Sequence, residues 1–139
     1  MAHRATSAWT AGLHRLALLA LCAAYIQGPV TKLLDFNGAI AEMVHFGLAP
    51  PALFAAGVIV FELVASALVV FGPLRGWAAL ALGAFTLAAT LVALRFWDLP
   101  PGMDRAMATN AFFEHLGLAG AFGLVALDSF KIKGGGTSA

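Results

Sequence analysis

Six side chains able to hold or exchange a proton, or to orient a polar ligand, fall where the surrounding sequence is apolar. They are Glu62, His115, Glu114, Gln27, Lys32 and Asn110. Glu62 stands in the middle of Pro51–Gly72, a stretch otherwise almost wholly apolar. If that stretch crosses a bilayer, a carboxyl at its centre costs at least ~2.5–3.5 kcal/mol, so it must find a partner or stay protonated. Glu62 and His115, with one or both of Gln27 and Lys32, are expected to form a hydrogen-bonded cluster under the outer membrane surface. The alternative is that these groups only pin helices together, as amides commonly do in membranes.

The elements that must position them follow from composition. The chain of 139 residues is 61% apolar and only 11% charged, where soluble domains carry about 25% charged residues. A mean hydropathy of +0.90 points the same way. A soluble domain of this size could not hide so much apolar surface, so an all-α integral membrane four-helix bundle is predicted. Spans need about 20 apolar residues each. They are predicted near 13–30, 51–72, 74–96 and 108–127, in one domain over 1–133, with a flexible tail over 134–139. The basic start and the run Leu16–Ile26 resemble a signal peptide, but no small-residue cleavage site follows, so a retained first helix is expected.

Arg4, Arg15, Arg75, Lys131 and Lys133 fall on one side of such a bundle, and Lys32, Arg95 and Arg105 on the other. This bias places both termini in the cytoplasm, with Trp9 and Trp77 at the inner interface and Trp97 at the outer one. Between the first two spans, Phe36, Ile40, Met43 and Val44 have the spacing of one helical face. They predict a short amphipathic surface helix, with Asn37 as N-cap and Gly47 as its stop. Asp98–Met107, with Pro100-Pro101-Gly102, is expected to form an outer turn. Stripes of small residues, Ala79, Gly83, Thr86 and Thr90 in span three and Gly117, Gly120 and Ala121 in span four, suit close helix packing within the bundle.

In an up-down-up-down arrangement the polar residues share the outer half or the midplane. Asn110 and Glu114 are an i,i+4 pair on one face of the fourth span, with His115 about 100° round the helix. A net charge of +1 offers no basic patch for nucleic acid. Cys22 is the one cysteine, which excludes an intrachain disulfide and a cysteine-based metal cluster. No metal-ligand spacing, nucleotide loop or nucleophile elbow is present, and a haem would need a second suitably facing histidine.

Several segments resemble the DoxX family of small four-helix bacterial membrane proteins. They are Lys32-Leu33-Leu34-Asp35-Phe36, Gly47-Leu48-Ala49-Pro50, Glu62-Leu63, Phe71-Gly72, Ala88–Thr90, Phe96-Trp97 and Asn110–Gly120. Many members carry Lys-Asn where this chain has Glu114-His115. The resemblance implies a multi-pass protein of the bacterial inner membrane. It also implies a link to membrane redox enzymes, because the family is named for a subunit of a terminal quinol oxidase. A quinone or quinol at the polar cluster is therefore expected, in a small membrane subunit supporting redox chemistry. The alternative is a non-catalytic scaffold or accessory subunit packing against a larger membrane complex, or against itself. A small-solute transporter ranks third.

Overall fold

The computed structural model describes the backbone of residues 2–134 and the side chains of 8–132. Its helices are α1 (Ala2–Leu34), α2 (Phe36–His45), α3 (Pro51–Phe71), α4 (Arg75–Ala93) and α5 (Met103–Gly134), with a short 3-10 turn at Phe96–Asp98. Four of them, all but α2, are long and apolar enough to cross a membrane. The short links from α3 to α4 and from α4 to α5 make these spans run alternately up and down, and α1 packs along α3. A single core joins them: Leu18, Cys22 and Tyr25 of α1, Val69 of α3, Ala79 and Leu82 of α4, and Phe122 and Ala126 of α5. The Tyr25 and Phe122 rings close the bundle edge to face, 5.3 Å apart.

Several boundaries differ from those expected. α1 does not stop at Val30. Pro29 lies buried inside it and the helix continues to Leu34. Proline forfeits one backbone bond, a loss that membrane helices make good through neighbouring groups. α5 begins at Met103, well before 108, and runs past 127 to Gly134, so the turn expected over 98–107 shrinks to residues 99–102. The remainder of the expected tail, 135–139, lies outside the described residues, as do the side chains of Arg4 and Lys133.

The short helix α2 forms, but Asp35 caps it, not Asn37. Its carboxylate accepts the Gly38 N–H at 2.9 Å, which leaves Asn37 inside the first turn. The helix ends at Gly47 through paired bonds from Gly47 N–H to Val44 and from Leu48 N–H to Met43, the arrangement that satisfies the last free carbonyls. Of the expected apolar face, Met43 is buried and Ile40 packs beside it, joined by Ala39 against Ala55 of α3, while Phe36 and Val44 are exposed. The helix therefore leans on α3, not on the bilayer alone.

The α3–α4 hairpin is tight because Gly72 takes a left-handed conformation, φ 97°, that side chains disfavour. Arg75, expected to act only as a topology charge, reaches back to cap α3. Its guanidinium donates to the Val69 carbonyl at 2.7 Å and the Val70 carbonyl at 3.3 Å.

Within the α4–α5 pair, Gly83 does what the small-residue stripe predicts. A Cβ there would sit 3.4 Å from the Ala119 carbonyl and the Phe122 Cβ. Gly117, Gly120 and Gly123 do not, since a Cβ at any of them would meet nothing within 4 Å. Replacing Gly83 with Leu should therefore separate the two helices. The expected cost is about 1–3 kcal/mol of overpacking, read as a lower thermal midpoint in detergent. Gly123→Ala should leave the midpoint unchanged; equal effects of the two would contradict this packing.

Candidate functional site

The polar groups gather where α1, α2 and α3 meet. α3 turns Ala55, Ile59, Glu62, Ser66 and Val69 inward, and Glu62 is only 9% exposed. Lys32, near the end of α1, reaches across to Glu42 of α2, its ammonium 2.7 Å from the carboxylate. Both charges act on Glu62, Lys32 by attraction and Glu42 by repulsion. Glu62 receives no hydrogen bond from any described residue. When all three groups are ionised the trio carries one more negative charge than positive. A buried set of that kind favours a proton or an additional donor on one carboxyl.

Beneath this trio runs a hydroxyl chain that ties α1 to α4. The Tyr25 hydroxyl hydrogen-bonds to the Thr86 hydroxyl, both groups being buried. Thr86 donates onward to the Leu82 carbonyl at 2.7 Å, and Thr90 to the Thr86 carbonyl at 2.6 Å. The Glu62 charge acts on Tyr25 as well, so the phenol belongs to the same polar region. Deeper still, Ser66 is 1% exposed beside the Cys22 thiol, and its hydroxyl lacks a hydrogen-bond partner of good geometry among the described residues.

The six residues singled out from the sequence are thus placed differently from one another. Glu62 and Lys32 come together. Gln27 faces outward and donates to the Thr31 hydroxyl on its own helix, at 2.8 Å. His115 is half-buried on the α4 side of α5. Its Nδ1 lies 2.7 Å from the Ala111 carbonyl one turn back, and no hydrogen bond joins it to Glu62. Asn110 and Glu114 are exposed on the far side of α5. Residues from three elements can share a depth without sharing a face.

Glu42 and Tyr25 were missed. Glu42 immediately precedes Met43, which puts it at the edge of the apolar stripe by which α2 leans on α3. Tyr25 is the sole tyrosine, set in the apolar run of the first span, and a buried phenol needs a partner. Counting back from an antiparallel α1–α3 hairpin brings it level with Glu62.

An apolar groove adjoins this region. Leu53, Phe54, Gly57, Val58 and Phe61 of α3 and Phe85 of α4 line about 420 Å³ of open space. Phe61, the residue before Glu62, stacks at a tilt on Phe85 with ring centres 5.1 Å apart. The groove lies on the neighbouring face of α3, about 100° round from the carboxyl.

The DoxX family model matches residues 15–95, more than half of the chain. The chain belongs to the DoxX family. The matched segment holds Tyr25, Lys32, Glu42, Glu62 and Thr86, and ends before α5 begins. Comparison with curated proteins and with solved structures found no match. Four apolar spans and DoxX membership make this a small integral membrane protein, in contact with a lipid bilayer.

The Lys32–Glu42 pair is partly open to its surroundings, with side chains 21% and 41% exposed. Its coupling should therefore be modest, about 1 kcal/mol in a double-mutant cycle of Lys32→Met and Glu42→Gln. Lys32→Met alone should destabilise more than the double variant, because it leaves two carboxyls facing each other. Additive effects in the cycle would show that the pair contributes nothing.

Proposed function

We propose that this DoxX-family protein is a small membrane subunit that supports redox chemistry by holding the head group of a quinone-type ligand at Glu62. The observation that carries the reading is the Glu62 side chain, 9% exposed and without a hydrogen bond from any described residue, beside a Lys32–Glu42 pair whose own charges largely cancel. A carboxyl enclosed away from water holds a proton readily, and Lys32 beside it offsets part of the cost of giving that proton up. The Tyr25 hydroxyl offers a further polar contact at the same depth. The groove along Phe54, Phe61 and Phe85 suits an apolar tail entering from lipid, because small-molecule sites are mostly apolar with a few placed polar groups.

A bound quinol would supply two electrons and two protons on oxidation. Lys32 would hold the Glu62 carboxylate before oxidation; that carboxylate would receive one of the two protons and become the neutral acid, and the second proton would leave to water at the membrane surface. The electrons would pass to a redox enzyme in the same membrane, which makes this chain a supporting subunit. The chain would reside in the bacterial inner membrane, where such enzymes work.

A non-catalytic scaffold is the second reading, and the sparse coverage of α5 favours it, 11% of that span being buried inside the chain. Native mass spectrometry of protein extracted gently from its own membrane separates the two. A quinone-sized mass retained by the unaltered protein and by Asn110→Leu, but lost in Glu62→Gln, is the expected result. Retention unaffected by Glu62→Gln would overturn the assignment of the head group. Larger partner proteins with no small ligand would favour the scaffold.

A further inference from the structure

We propose that the outward face of α5 is a self-association surface, pairing with the α5 of a second copy of this chain. α5 turns Ala119, Phe122, Ala126 and Phe130 toward the rest of the bundle. At about 100° per residue, Asn110, Glu114, Gly117 and Ala121 fall on the opposite side. Asn110 and Glu114 are exposed, and the side chain of neither bonds or ion-pairs with a described residue. Glu114 lies well inside the span Met103–Ile132, so this face presents an amide and a carboxyl to the hydrocarbon. That is the costly situation that polar residues in membrane helices escape by pairing across an interface.

The pair is complementary to itself. Copies inserted the same way across a bilayer meet with their α5 helices parallel and at equal depth. A two-fold axis along the membrane normal then makes each contact reciprocal. Asn110 offers an amide N–H and Glu114 an accepting carboxyl, one helical turn apart. The separation is about 6 Å along the axis, and the Glu114 side chain leans toward the N-terminus, where Asn110 of the other copy lies. Each copy would donate from Asn110 to Glu114 of the other. Below them, a Cβ at Gly117 would meet nothing within 4 Å inside the chain, so that glycine serves no packing in the monomer and leaves room for a close helix approach. A different protein would have to match both the depth and the polarity of this pair; a second copy does so by symmetry. The surface is separate from the Glu62 region and does not depend on a ligand there.

The test is cysteine crosslinking in native membranes, in a full-length Cys22→Ala background that leaves the engineered thiol alone. A disulfide forms only where Cα atoms approach within about 4.4–6.8 Å. Gly117→Cys should give a disulfide-linked species of twice the 14.4 kDa chain mass. Leu19→Cys, at an exposed position of α1, should give none. Adding Asn110→Leu with Glu114→Leu should weaken association about tenfold or more, since two interhelical hydrogen bonds are lost. Glu114→Gln, which keeps a hydrogen-bonding side chain in a less costly form, should retain the dimer. Equal crosslinking at Leu19 and Gly117, indifference to the double leucine change, a purely monomeric Gly117→Cys protein, or a link only to some other protein would each overturn the proposal.

Discussion

A polar group in hydrocarbon has no water to turn to, and the structure is organised around that constraint. Backbone groups are satisfied by four long helices, and side chains by bonds that either stay within a helix or join two. Thr86, Thr90 and Thr109 take the first route in part, donating to carbonyls one turn back along their own helices, and Gln27 donates one turn forward to Thr31. Tyr25 and Lys32 take the second, and by doing so they fix how α1 sits against α4 and α2. Glu62 takes neither route fully. It is buried, attracted by one neighbour and repelled by another, and lacks a hydrogen bond of its own. A group left in that state is better suited to exchanging a proton than to holding helices together.

The same constraint distinguishes the two ends of the polar inventory. Glu62 is enclosed by its own chain, so its unmet needs are directed inward, toward a small ligand or a proton. Asn110 and Glu114 are turned away from the chain, so theirs are directed outward, toward another helix. The two regions lie in different parts of the sequence. The first is inside the segment matched by the DoxX family, and the second is on α5, beyond it. On the readings proposed above, the place for chemistry and the surface for assembly are physically separate.

Much of the fold was legible because apolar length is a strong signal. The spans, the tight Gly72–Pro73 hairpin and the short helix after α1 all follow from hydropathy and turn residues. Helix ends were less legible. Pro29 resembles a stop in water but not in a membrane, and the α5 ends are polar turns that hydropathy alone does not extend. The cap of α2 moved to Asp35 because its carboxylate reaches Gly38, a contact set by backbone geometry that residue type alone does not decide between Asp35 and Asn37. The candidate site was legible in part. Depth along each helix can be counted, which singled out Glu62 and Lys32 together. Rotation about each helix depends on packing, and it is rotation that separates His115 and Glu114 from Glu62. Glu42 was hidden because it lies outside every span, on a helix whose docking against α3 is a tertiary event.

On the proposed reading, Glu62 changes its protonation as a quinone-type ligand is oxidised and reduced. Infrared difference spectroscopy of the reconstituted protein, between quinone-loaded and quinol-loaded membranes, tests it directly. The expected result is a carboxyl carbonyl band that appears or vanishes with ligand reduction and is absent from Glu62→Gln. A difference spectrum without such a band, or one unchanged by Glu62→Gln, would contradict it.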